Sequence, residues 1–170
     1  MFSNLFTRRA FTNRFAALLP GLGLASALPS SASAPGKQET GGVKKLNWDG
    51  KLVDPNSFIT ALIVDNGLIY IAGQGAHSHD TGETFPTDIE HHTKRVMDNV
   101  KHLVETGGGT VDSILQLTVY LAKIEDYAGM NKVFKTYFPH GGPARTTVAA
   151  ANLPGNSLVE INCIAAVTRK

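Results

Sequence analysis

Cys163 is the only cysteine in 170 residues, which excludes an internal disulfide framework and any metal site built from cysteines. Acidic residues are absent from the first 34 positions, where Arg8, Arg9 and Arg14 stand. Without those three charges the net +2 of the chain falls to −1, so the remaining body is near neutral. Such a body offers no electrostatic footprint for phosphate backbones and argues against nucleic-acid binding. Long apolar runs are missing too. Phe15–Leu28 is broken by Pro20, Gly21 and Gly23 and is too short to act as a stable membrane anchor. What is present is a 42% hydrophobic, 18% charged composition, enough apolar material for the core of one compact domain.

The N-terminal 34 residues read as an address. Thr7-Arg8-Arg9-Ala10-Phe11 is a twin-arginine pattern, followed by the weak apolar stretch and the small-residue zone Ser30-Ser31-Ala32-Ser33-Ala34. This order predicts a signal peptide over 1–34 and twin-arginine (Tat) export to the periplasm or beyond. Pro35 disfavours cleavage after Ala34, whereas Ala32 or Ala27 avoids the problem. A mitochondrial transit peptide is the alternative, since the segment is also rich in Arg and Ser. Residues 35–46 read as a linker, leaving 47–170 as the folded domain.

Within the domain, Phe58–Val64 and Leu68–Ala72 flank Asp65-Asn66-Gly67, the signature of a β-hairpin. Ile89, Val96, Val100, Leu103 and Val104 recur at helical spacing over Thr87–Thr106, with Thr87 and Glu90 spaced as a capping box and Gly107–Gly109 as the stop. Leu115, Leu117, Val119 and Leu121 alternate with polar residues as a half-buried strand. A second helix is predicted over Tyr127–Phe138, then strands over Arg145–Ala151 and Leu158–Val167. The order β-β-α-β-α-β-β predicts an α+β fold, with two helices on one face of a mainly antiparallel sheet. The other face is left for self-association.

Arg145 and Glu160 each interrupt an otherwise apolar strand. An isolated charge there is costly unless paired or functional. Arg145 shares a face with Thr147, and Glu160 with Asn162. Paired as a hairpin, the two strands would bring Arg145 and Glu160 to one site; a structural ion pair or a solvent-facing edge accounts for them equally well.

The run PARTTVAAANLPGNSLVEINCIA, with IYIAGQGA and the helix–strand–helix segment upstream, resembles the RidA/YjgF/UK114 family over residues 55–168. The resemblance implies a chorismate-mutase-like fold assembled as a homotrimer, with a site in each cleft between subunits. It further implies hydrolysis of small carboxylated enamines or imines to a 2-keto acid and ammonia, without metal, nucleotide or flavin. Carried over, Arg145 grips the substrate carboxylate and Glu160 activates the attacking water; Gly73 and Asn131 are further site positions. Three positions depart from the family pattern: Phe58 replaces a tyrosine, Ala72 a serine and Thr147 a cysteine. A non-catalytic trimer that binds a small carboxylate or protects other proteins is the alternative function.

His77-Ser78-His79-Asp80 has the donors of a partial metal site but no distant third ligand in the sequence. His91-His92 and His102 read as surface groups, and Cys163, mid-strand, as a small buried apolar residue.

Overall fold

A computed structural model describes residues 42–84 and 87–168. The address segment 1–34 and all but the last residues of the expected linker lie outside them. Lys44–Leu46, read as the end of that linker, instead form the first strand, β1. It pairs antiparallel with β2 (Leu62–Asp65). β2 begins four residues later than its β-prone run: Phe58 is fully exposed, and Ser57 N–H donates to Asp54 C=O in a turn.

β2 joins β3 (Leu68–Gln74) through Asn66 and Gly67, with φ of 48° and 78°. Two successive positive φ values match the right-handed twist of paired strands, which is why Asn-Gly sets this hairpin. α1 (Ile89–Thr106) follows. Its cap is Asp88 rather than the expected Thr87: the Asp88 carboxylate accepts from His91 N–H at 3.0 Å. Both residue types can cap, and the one directly before the helical φ/ψ region does so. Val96, Val100, Leu103 and Val104 are wholly buried along one face. At its end, a Cβ on Gly107 would stand 2.7 Å from Ile69 Cγ2, so glycine lets the helix terminus approach the sheet.

β4 (Ile114–Leu121) pairs antiparallel with β6 (Val159–Ala166). A register shift between Ile114 and Gln116 breaks the strict alternation. Ile114 therefore enters the core and Leu115 turns outward, half exposed, contrary to the simple pattern. α2 covers Tyr127–Phe134 and runs into a 3₁₀ turn over Lys135–Tyr137, so the expected long helix tightens in its last part.

β5 (Ala144–Ala149) lies parallel to β4. The sheet order is β1-β2-β3-β6-β4-β5. Thus β5 and β6 do not form a hairpin; β4 lies between them. The cause is topological: α2 carries the chain back along β4, so β5 emerges parallel on its outer edge, and β6 fills the slot between β3 and β4. The fold is α+β, a mixed sheet of six strands with two helices.

The core sits between helices and sheet, filled by Ile69, Val119, Ile161 and Ala165 from the strands. On the opposite face Tyr70, Gln116, Thr118, Asn162 and Ile164 line a shallow depression of about 320 Å³. Tyr70, with 40% of its surface exposed, and Val148 leave apolar surface there. No helix among the described residues is long and apolar enough to cross a membrane.

Candidate active site

Strand register decides where each charged residue points. Arg145 stands opposite Leu117 on β4, whose side chain is buried under the helices. Residues paired in register share a face, so Arg145 projects toward α2. There Nη1 donates to Asn131 Oδ1 at 2.7 Å and Nη2 to the Tyr127 hydroxyl at 3.2 Å. Its Cζ lies 4.6 Å from the Phe134 ring centroid and 5.7 Å from that of Tyr127. Tyr127, Asn131 and Phe134 recur at i, i+4 and i+7, one stripe of the helix.

None of these partners is a carboxylate, and Arg145 forms no ion pair among the described residues. The guanidinium is thus oriented by neutral hydrogen bonds and an aromatic face, with its charge uncompensated. That arrangement suits an anionic ligand, which the planar fork can take in two parallel bonds. Beside it opens a cleft of about 330 Å³ lined by Asn131, Phe134, Lys135, Phe138, Pro143 and Arg145. Thr147, two residues along the same face, has a buried Oγ1 with no hydrogen-bond partner among the described residues.

Glu160 stands opposite Tyr120 in β6, between the buried Val159 and Ile161. It therefore projects from the face away from the helices. A register irregularity between Ile71 and Gln74 brings β3 close to it. The Gln74 side chain fixes this bend by donating to the carbonyls of Ala72 at 3.0 Å and Gly73 at 3.2 Å. A Cβ on Gly73 would collide with Glu160 Oε1. Glycine is what allows backbone and carboxylate to meet.

The expected site residues therefore form two clusters: Arg145, Asn131 and Thr147 in one, Glu160, Gly73 and the neighbouring Ala72 in the other. Three residues along β4 and two strand spacings separate them, roughly 14 Å between Cα atoms, on opposite faces of one sheet. No hairpin contact brings Arg145 and Glu160 together within the chain. Phe58 lies in the exposed connection before β2 and belongs to neither cluster.

Sequence reasoning missed Tyr127 and Phe134 as Arg145 contacts. Their helical spacing around Asn131 is the signal that would have found them. Hydrogen bonding by Asn131, then the Arg145 charge, lowers the Tyr127 pKa below the ordinary phenol value. Burial pushes the Cys163 thiol up to about 12, so it is no nucleophile near neutrality. His79 is held elsewhere: Trp48 stacks between its ring, 3.6 Å away, and that of His102, 4.2 Å away. No group of three or more metal-binding side chains gathers among the described residues.

Comparison with known proteins gives this geometry a context. Residues 53–167 match the family described as Endoribonuclease L-PSP. A RutC family protein of Pyrococcus abyssi is 39% identical over 122 residues, covering 72% of this chain and 96% of its own. The rat 2-iminobutanoate/2-iminopropanoate deaminase is 31% identical over 109 residues, covering 64% and 79% respectively. The crystal structure of E. coli TdcF with bound serine superposes with a TM-score of 0.63 at 26% identity, covering 74% of this chain and 98% of that one. With a family match across β2–β6 and both helices, the chain belongs to the RidA/YjgF family, the group described as Endoribonuclease L-PSP.

Proposed function

We propose that the protein hydrolyses a small carboxylated imine or enamine to a 2-keto acid and ammonia, in a site completed by two chains. The observation that carries this reading is the uncompensated guanidinium of Arg145, held in place by Asn131 and Tyr127. The deaminase activity named for the rat relative and the serine bound in the E. coli one support a small carboxylated ligand.

In this reading Arg145 takes the carboxylate in a bidentate grip and fixes the C=N carbon against the opposing cluster. Glu160 accepts a proton from water as its oxygen bonds to that carbon. Glu160 passes that proton to the nitrogen, giving the carbinolamine. It then carries the hydroxyl proton to the same nitrogen as C=O forms and the C–N bond breaks, releasing the 2-keto acid and ammonia. The Gly73 backbone beside Glu160 orients substrate and water, while Thr147 offers the hydroxyl that has no partner among the described residues. Because Arg145 and Glu160 project from opposite faces of one sheet, a ligand touching both takes Arg145 from one protomer and Glu160 from its partner. The open face carrying Tyr70 and Val148 supplies surface for such a homotrimer. In this account the twin-arginine segment directs the protein to an exported compartment.

The test is ammonia release from 2-iminopropanoate and larger imino acids generated in situ by an amino-acid oxidase. Acceleration over spontaneous hydrolysis, lost in Arg145→Ala and Glu160→Gln, is the expected result. An assembled protein that accelerates none of them excludes deamination.

A further inference from the structure

We propose that Tyr127 is a ligand-positioning residue of the Arg145 site, holding the guanidinium and presenting its own hydroxyl proton to the bound carboxylate. The inference rests on the carboxylate-binding reading of Arg145 and extends it to a residue that no family position assigned.

The argument is a count of donors and acceptors. A guanidinium has five N–H groups. One is taken by Asn131 Oδ1 and one by the Tyr127 hydroxyl, leaving three, enough for a bidentate carboxylate. The Tyr127 oxygen receives the Arg145 N–H at 3.2 Å. It is thus engaged as an acceptor, and its O–H proton has no acceptor among the described residues. Tyr127 is 42% exposed, so the proton is open to a ligand arriving at the guanidinium. A carboxylate has about four lone-pair positions, two for the Arg145 fork and others for such a donor.

Tyr127 and Asn131 are one helical turn apart and hold different nitrogens of the fork, which limits rotation of Arg145 to one plane. The lowered pKa of Tyr127 has a functional consequence. Ionisation would replace a donor by a negative charge beside the carboxylate, so affinity would fall as pH rises through a value below the usual phenol range.

Pyruvate, the inert keto acid corresponding to 2-iminopropanoate, reports binding without turnover. Calorimetric titration of the full chain across pH 6.5–10, in wild type, Tyr127→Phe and Arg145→Ala, is the experiment. The expected result is a loss of roughly ten- to a hundredfold in Tyr127→Phe at neutral pH, the worth of one hydrogen bond to a charged group. The alkaline weakening seen in wild type should vanish in that variant, an effect that a purely structural tyrosine would not have. Wild-type affinity with an unchanged alkaline limb in Tyr127→Phe overturns the assignment while leaving the Arg145 reading intact. Binding that is absent in wild type, or unchanged in Arg145→Ala, overturns both.

Discussion

Gly73 and Glu160 lie so close across the β3–β6 boundary that any side chain at position 73 would occupy the space of the Glu160 carboxylate. The φ of Gly73 is not in the left-handed region, so alanine is compatible with the backbone. What it would displace is the end of a movable side chain. Gly73→Ala should therefore cost little stability but lower kcat/KM for imine hydrolysis at least tenfold, since a misplaced general base loses much of its effect. Thermal melting read beside the kinetics separates the two consequences.

Arg145→Lys keeps the charge and loses the fork. A single ammonium cannot bond Asn131, reach the Tyr127 hydroxyl and bind a carboxylate bidentately together. KM should rise roughly tenfold or more with a smaller change in kcat, the pattern of lost ground-state binding. A lysine variant with wild-type KM would mean that charge alone suffices.

Thr147 supplies a test that separates stability from function. Its buried Oγ1 lacks a partner among the described residues, and valine has nearly the same shape. If nothing satisfies the hydroxyl, Thr147→Val should stabilise the protein by about 1 kcal/mol, the cost of an unmade buried hydrogen bond. If the hydroxyl serves the ligand, the same variant should bind pyruvate more weakly. Denaturant unfolding and calorimetry read both effects on one sample.

Acid sensitivity is expected from the stacked rings at Trp48. Burial lowers the His79 pKa below its ordinary 6.5, with His77 and His102 adding to this and Asp49 and Asp80 opposing it. Folding therefore favours the neutral ring, and the unfolded chain binds the extra proton more readily. Stability from this source is complete above pH 6.5 and declines as pH falls toward the depressed folded value. His79→Gln should flatten that part of the melting-temperature profile. Because Trp48 is the only tryptophan, its fluorescence follows the same transition directly.

Much of the fold was legible because local chemistry and tertiary structure agree. Asn66-Gly67 sets the hairpin, Gly107 ends α1, and apolar spacing marks the buried face of α1. What escaped depends on long-range arrangement. Nothing local to β5 and β6 announces that β4 separates them, since that follows from the parallel return through α2. Arg145 and Glu160 stood out as charges in apolar strands, but alternation within each strand cannot say which face of a shared sheet it uses. Leu115 reads as a core residue by alternation because the irregularity beside it leaves no mark in the residue pattern. Tyr127 was visible only as the start of a helix until Arg145 was seen to reach it.

Separation of the two clusters on opposite faces leads to the most direct test. Arg145→Ala and Glu160→Gln chains, each inactive alone, are to be unfolded together, refolded as a mixture and assayed for ammonia release from 2-iminopropanoate. With Arg145 from one protomer and Glu160 from its partner, random assembly of equal amounts restores about a quarter of the sites, as expected for an interface with two unlike contributors. Recovery near that level is the predicted result. A mixture as inactive as its components, despite wild-type assembly, would contradict a deaminase site shared between protomers.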